Sequence, residues 1–209
     1  MNTVLLAAGL STRMNGLQKL LLPWGPGTVI EHCTRQAMLG LAGAGEVIVV
    51  TGCDSDDVLK ALTPVVKQQE QGVFGSTRLR FVYNAAYQDG QFSSALAGVN
   101  AIPAGQPFFI TMGDLPLIGA SHYQRLLPLL EDYEAVRPTC KGVPGHPVLH
   151  VARLREEILA LPHTATMRGL LATKKTNAPD DEDIAWISDI DTPEAYQKLY
   201  ALTFGRLPS

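Results

Sequence analysis

Four short apolar runs, residues 4–8, 46–51, 79–83 and 108–112, are rich in Val, Ile, Leu or Phe, and between them residues 28–41, 55–62 and 93–101 place apolar side chains at helical spacing. This alternation narrows the choice of fold more than any other feature of the chain. Strands joined through helices run parallel, and their helices cover both faces of the sheet. Such a sheet binds ligands beyond the carboxyl ends of its strands, so the residues just after each run are where chemistry is expected. The second half continues the pattern less regularly. Ser121 is expected to cap a helix reaching about residue 131, with Pro128 breaking its end. Residues 134–138 and 147–151 read as strands around a turn-rich 140–145, residues 153–160 and 166–173 as helices, and residues 184–190 as a last strand. Thr192-Pro193-Glu194 then opens a final helix with a cap and a proline in its first position.

A chain of 209 residues, 46% of them hydrophobic, can bury one substantial core, and neither a repeat nor a linker divides it, so a single domain spanning 1–209 is expected. A net charge of −3 argues against nucleic acid as a partner. Cys33, Cys53 and Cys140 are widely spaced and form no C-x-x-C, which indicates neither a disulfide framework nor a zinc site and fits a reducing cytoplasm. Met1 leads straight into a buried-type strand without a basic leader, and no segment reaches the roughly 18 apolar residues of a membrane helix. The expectation is a soluble cytoplasmic protein with no membrane partner.

The first strand ends in Gly9-Leu10-Ser11-Thr12-Arg13-Met14-Asn15-Gly16-Leu17-Gln18-Lys19. Small residues let backbone N–H groups approach phosphate oxygens, and two cations six positions apart can neutralise charge that shifts during phosphoryl chemistry. The loop is neither G-x-G-x-x-G nor G-x-x-x-x-G-K-[ST], so it fits neither the dinucleotide fingerprint nor the P-loop. On residue types alone, an ordinary strand-to-helix turn fits equally well. After the fourth run, Gly113 leads into Asp114-Leu115-Pro116. A carboxylate at that rim suits Mg²⁺, which takes one or two carboxylates plus substrate phosphates, but an Asp that merely caps the turn would look the same. Asp189 and Asp191 pose the same question at the far end of the chain, where Asp191 competes with Thr192 as helix cap.

Taken in order, Leu6-Ala7-Ala8-Gly9-Leu10-Ser11-Thr12-Arg13-Met14, Lys19-Leu20-Leu21-Leu22-Pro23, Gly113-Asp114-Leu115-Pro116 and Asp189-Ile190-Asp191-Thr192-Pro193-Glu194 resemble nucleotidyltransferases that carry L-A-A-G-x-S-x-R-M, K-x-L-L-P, G-D-x-P and D-x-D-T-P-E. The likeness spans nearly the whole chain and is strongest to the branch containing molybdenum cofactor cytidylyltransferase, within the family that shares the molybdopterin guanylyltransferase-like fold. It implies a three-layer Rossmann-like α/β fold with a mostly parallel sheet, a nucleotide-binding part at about 1–118 and an acceptor-binding part at about 119–209. It also implies transfer of CMP from CTP to the terminal phosphate of molybdopterin or molybdenum cofactor, with release of pyrophosphate. By resemblance Arg13, Lys19 and Asp114 are catalytic, Arg13 and Lys19 contacting the triphosphate, and Asp114 and Asp191 ligate Mg²⁺, with Mn²⁺ as the alternative ion. Ala7, Ala8, Gly9, Ser11, Gly90 and Ser94 complete the nucleotide site.

Gly90-Gln91-Phe92-Ser93-Ser94-Ala95-Leu96-Ala97-Gly98 is similar to the family's G-x-x-x-S-L-x-x-G element, which holds base and ribose; Ser93 reads equally as a helix cap. Ala7-Ala8-Gly9 resembles pyrimidine users, since guanylyl-transferring relatives carry a second glycine there. Gly145-His146-Pro147 resembles a G-H-P segment that lies where the acceptor binds, giving His146 a role there beside Arg168. Thr164-Ala165-Thr166-Met167-Arg168 departs from the G-D-x-G-A-R of many relatives and keeps only its arginine. Asn15-Gly16 replaces a glycine pair, and asparagine tolerates left-handed backbone. Trp24, His32, His122, His150 and His163 read as structural. A recipient molybdoenzyme is expected to make transient contact. The rival readings are the same chemistry on a sugar phosphate or polyol phosphate, and a non-catalytic accessory protein that binds molybdopterin.

Overall fold

The computed structural model describes residues 1–208. Seven strands form one sheet: β1 (Asn2–Ala7), β2 (Glu46–Thr51), β3 (Arg78–Tyr83), β4 (Phe108–Met112), β5 (Ala135–Val136), β6 (Val148–His150) and β7 (Thr176–Asn177), in the spatial order β7-β5-β6-β4-β1-β2-β3. Every pairing is parallel except those of β6, which runs against both β4 and β5. Eight helices accompany it: α1 (Val29–Gly40), α2 (Ser55–Ala61), α3 (Thr63–Glu70), α4 (Gln91–Ala101), α5 (Ala120–Leu126), α6 (Leu154–Leu159), α7 (Met167–Leu171) and α8 (Pro193–Phe204).

Successive side chains on a strand point to opposite faces, and the central strands are apolar on both. Leu5, Val47, Val49, Phe109 and Leu149 join the core beneath α1, α2, α3, α5 and α8. Val4, Leu6, Ile48, Val50, Phe108, Ile110 and Val148 pack with α4, α6 and α7 on the other side. Each such side chain fully withdrawn from water contributes about 1.5–3 kcal/mol. The result is the expected three-layer α/β fold. Its second layer is tight: a Cβ at Gly98 of α4 would stand 2.2 Å from Val4 Cγ1 and 2.8 Å from Val50 Cγ2, so only glycine lets that helix lie on β1 and β2. Trp24 is packed as expected, against His32, Tyr200 and Phe204.

Three local expectations are corrected. Residues 184–190 are not a strand: Asp183 Oδ1 accepts a hydrogen bond from Ala185 N at 3.1 Å and turns Ile184–Ile187 into a 3-10 helix that buries Trp186. Ser121 lies inside α5, whose start is held instead by His122 Nδ1 accepting from Gly119 N (2.9 Å) and Gln36 Oε1 accepting from Ala120 N (3.0 Å). Ser93 is not a cap either, because α4 begins at Gln91 with Gly90 before it. By contrast Thr192 caps α8 as expected, its hydroxyl accepting from Ala195 N, with Pro193 next in line. No helix among the described residues is long and apolar enough to cross a membrane.

Candidate active site

The loop after β1 folds back on itself through two tight turns, Met14 N to Ser11 O and Leu17 N to Met14 O, both 3.0 Å, and is pinned by the fully buried Met14. Asn15 adopts the left-handed backbone expected of it (φ 51°), and Ser11 shares that conformation (φ 50°). The Ser11 hydroxyl lies 2.6 Å from Gln18 Oε1 and accepts from Lys19 N at 3.3 Å, so it ties the two ends of the loop together. On the neighbouring strand Gly113 N donates to Leu6 O at 2.9 Å, and a Cβ there would stand 2.8 Å from Ile30 Cδ1. That close approach sets Asp114 at the rim between β4 and β1. Asp114 O accepts from Ile190 N at 3.0 Å, which carries Asp189 and Asp191 across from the far end of the chain.

Four charged side chains from three segments meet there. Lys19 Nζ pairs with the Asp114 carboxylate and with Asp191 Oδ1 at 2.7 Å, while Arg13 reaches Asp191 Oδ2 at 2.5 Å. Burial by itself would lower the Lys19 pKa, but the Asp114 charge and the hydrogen bonds that Lys19 donates to both carboxylates outweigh it and hold the ammonium above its ordinary value. Burial works to raise Asp191, yet the hydrogen bond and charge of Lys19, helped by Arg13, keep it below the usual carboxylate range. Asp189 is pushed up by burial and by the charges of Asp191 and Asp114. Asp114 Oδ1 remains buried without a hydrogen-bond partner.

These groups line a cleft of about 460 Å³ at the carboxyl ends of the central strands. Of the residues expected in the nucleotide site, Ala7, Ala8, Gly9, Arg13, Lys19, Gly90, Ser94 and Asp114 border it and Ser11 does not, while Asp191, expected as a metal ligand, borders it too. A second cavity of about 380 Å³ adjoins it, sharing Leu6, Gly90 and Gln91, and is bordered by His146 and Arg168. His150 and His163, read as structural, also border this second cavity. Both halves of the chain supply both cavities: Asp189 and Asp191 enter the first, and Leu6 and Phe92 the second.

Asn84 went unnoticed in the sequence. Buried just after β3, it donates from Nδ2 to Ser93 Oγ (2.9 Å) and Ser94 Oγ (3.0 Å), fixing the hydroxyl pair at the start of α4. Its position at a strand's carboxyl end was the available signal, the same one that marked Asp114. Gln91, which borders both cavities and whose Nε2 lies against Met112 Sδ, carried no such signal.

Known proteins resemble this chain in both sequence and fold. The chain is 28% identical over 193 residues, 92% of each chain, to molybdenum cofactor cytidylyltransferase of Escherichia coli (strain K12). Among solved structures, Rv0371c of Mycobacterium tuberculosis H37Rv superposes with a TM-score of 0.75 at 20% identity, covering 96% of this chain and 97% of that one. That protein has also been solved in complex with manganese (TM-score 0.66, 20% identity, 95% and 97% covered). A nucleotidyl transferase from Methanothermobacter gives a TM-score of 0.74 at 23% identity over 97% and 98%. The family description "MobA-like NTP transferase domain" matches residues 3–179, which takes in the loop, Lys19 and Asp114, and the chain belongs to that family of nucleotidyltransferases.

Proposed function

We propose that this chain transfers CMP from CTP to the terminal phosphate of molybdopterin or molybdenum cofactor and releases pyrophosphate. The observation that carries the reading is a Lys19–Asp114–Asp191 cluster on the wall of one cleft, with a second cavity sharing Leu6, Gly90 and Gln91 beside it. A two-substrate transfer needs that layout: the nucleotide in one compartment, the acceptor in the next, and reacting phosphates at the shared wall. The cytidylyltransferase relative supports the choice of both substrates. Ala7 and Ala8 on the cleft wall, in place of a second glycine, favour the pyrimidine.

In the proposed reaction an oxygen of the acceptor phosphate attacks the α-phosphorus of CTP in line. The bond to the β-phosphate oxygen breaks, pyrophosphate leaves with that electron pair, and a phosphoanhydride joins CMP to the acceptor. A phosphate monoester with its second pKa near about 6 is already anionic at neutral pH, so no general base is required. Catalysis rests on positioning and charge neutralisation. Arg13 and Lys19 hold the triphosphate, and Lys19 meets the charge that grows on the α-phosphate. Asn84 orients Ser94 toward the ribose and base.

Asp114 and Asp191 fit a hard divalent cation: the donors are carboxylate oxygens, and Asp114 Oδ1 is buried with a free acceptor position. Among the described residues no three His, Cys, Asp or Glu side chains are arranged to hold a metal by themselves, so the two carboxylates would share the ion with substrate phosphates, as Mg²⁺ prefers. When bound, Mg²⁺ or Mn²⁺ supplies positive charge to the phosphate oxygens. The relevant compartment is the cytoplasm, where CTP is available, and the recipient molybdoenzyme would meet the chain transiently. Pyrophosphate release tests the reading, measured with CTP and GTP, each with and without molybdopterin. Release that requires CTP and molybdopterin together supports it; release with glucose 1-phosphate and none with molybdopterin would replace the acceptor.

A further inference from the structure

Arg137 belongs to none of the motifs, yet it borders the second cavity together with Arg168. It follows β5 directly and is half-buried; burial first, and then the Arg168 charge, lowers its pKa, while no carboxylate acts on it. Its side-chain hydrogen bond goes to the Gly145 carbonyl, Nε to O 3.5 Å, which leaves the outer nitrogens of the fork free. The arginines that form ion pairs among the described residues are Arg13, Arg35, Arg80, Arg125, Arg153 and Arg155, so neither Arg137 nor Arg168 is neutralised. Asp89 is the acid in the cavity lining, and it pairs with neither. Two uncompensated guanidinium groups facing one compartment repel each other, and an anion between them removes that cost.

The rest of the cavity points to a ligand with polar atoms in an apolar frame. Phe92, Val148, Met167 and Leu171 line it, and so do two imidazoles with unused nitrogens. His146 Nδ1 and both ring nitrogens of His150 are buried with no hydrogen-bond partner. Burial pushes each imidazole down to about 4, so both are neutral near pH 7 and can each donate one hydrogen bond and accept another. His150 is held flat against Phe108, ring centroids 5.0 Å apart, which fixes its plane.

We propose that Arg137 and Arg168 form a clamp for the phosphate of the acceptor, with Arg137 a specificity-determining residue of the second substrate and not of the nucleotide. The clamp rests on the two-substrate reading above. Guanidinium forks match phosphate oxygens in pairs, and two of them restrict where the nucleophilic oxygen can lie relative to the adjoining cleft.

The test is anaerobic isothermal titration of the full chain and its Arg137→Gln, Arg137→Lys and Arg168→Gln variants with molybdopterin, and separately with CTP and Mg²⁺. The expected result is molybdopterin binding about 10- to 100-fold weaker in Arg137→Gln and Arg168→Gln, the loss of a charged hydrogen-bond partner. Arg137→Lys regains part of it, and CTP affinity stays within about twofold in all three, since the nucleotide cleft excludes both residues. Unchanged molybdopterin binding in Arg137→Gln overturns the clamp, and so does an equal loss of CTP and molybdopterin, which would mark a damaged fold. If wild-type protein ignores molybdopterin but binds glucose 1-phosphate, and Arg137→Gln loses it, the clamp stands and the cofactor reading falls. If wild-type protein binds neither anion, the clamp falls.

Discussion

Replacing Lys19 by Gln isolates the charge balance on which the site is built. The Lys19 side chain is 14% exposed and lies between carboxylates that are 5% (Asp114) and 24% (Asp191) exposed. Removing the cation from a buried cluster costs about 3–5 kcal/mol because the remaining charges are left unpaired. Asp191 keeps its Arg13 partner and some contact with water, which brings the cost down to about 2–3 kcal/mol. For a chain of this size that is a fall in Tm of about 6–9 °C. The same variant exposes a competition. In the wild type a divalent cation must displace the ammonium from Asp114 and Asp191, whereas in Lys19→Gln the two carboxylates are free of it. Added Mg²⁺ therefore raises the Tm of the variant more than that of the wild type, while transfer falls by about 10²–10³-fold through loss of a donor to the α-phosphate. Thermal melts with and without Mg²⁺, paired with initial rates, measure all three. A variant as stable as wild type without Mg²⁺, an equal Mg²⁺ response in the two proteins, or more than a tenth of the activity retained would refute the argument.

Two further outcomes follow from the same cluster. Asp114→Ala abolishes turnover yet keeps the fold, because the contact that brings the Asp189–Asp191 segment to the site is made by the Asp114 backbone carbonyl; circular dichroism with a rate assay tests this, and a folded, active variant contradicts it. The stability contributed by the ion pairs depends on pH with a definite sign. Asp191, held below its ordinary value of 3.8, contributes fully above that pH and loses its contribution as pH falls through the lowered folded value. Lys19, held above 10.5, contributes fully below that pH and loses its contribution as pH rises through the raised folded value. The stability gap between wild type and Lys19→Gln, followed by urea titration, is therefore constant from above the range in which the raised Asp189, on which the Lys19 charge also acts, titrates up to about pH 9.5, and changes beyond both ends. A gap that varies across the neutral range would mean that other groups control it.

In the first half of the fold β1, β2 and β4 were legible in the sequence because they are buried on both faces and read as apolar runs, β2 and β4 beginning and ending where their runs do. The edge strand β3 instead interleaves Arg78 and Arg80 with apolar residues and is largely exposed. The second half was harder because its ordering comes from distant partners. Gln36, on α1, caps α5, and Asp183 converts an apolar run into a 3-10 turn, neither of which periodicity can register. The strands β5 and β7 are two residues long, too short to carry a pattern. Lys19, Asp114 and Asp191 are marked in the sequence by lying at a strand end or just before or at a helix start, and Arg13 by its place in the small-residue loop after β1. The motif puts Ser11 in the nucleotide site, and in the structure its hydroxyl ties the two ends of the loop together. Arg137 and Asn84 each follow a strand, and that position is the one mark the sequence gives them; a lone arginine or asparagine there has no spacing signature besides, and its importance depends on what stands opposite it in space.

The proposed reaction joins CMP to a pterin phosphate within one site. Its most direct test is incubation of the full chain with CTP labelled at the α-phosphate, Mg²⁺ and molybdopterin, followed by separation of the pterin products. Label is expected in a pterin dinucleotide in equal amount to the pyrophosphate released, with CTP and not with GTP, and not in Asp114→Ala. Pyrophosphate release without labelled pterin, or labelled pterin formed equally well by Asp114→Ala, would contradict it.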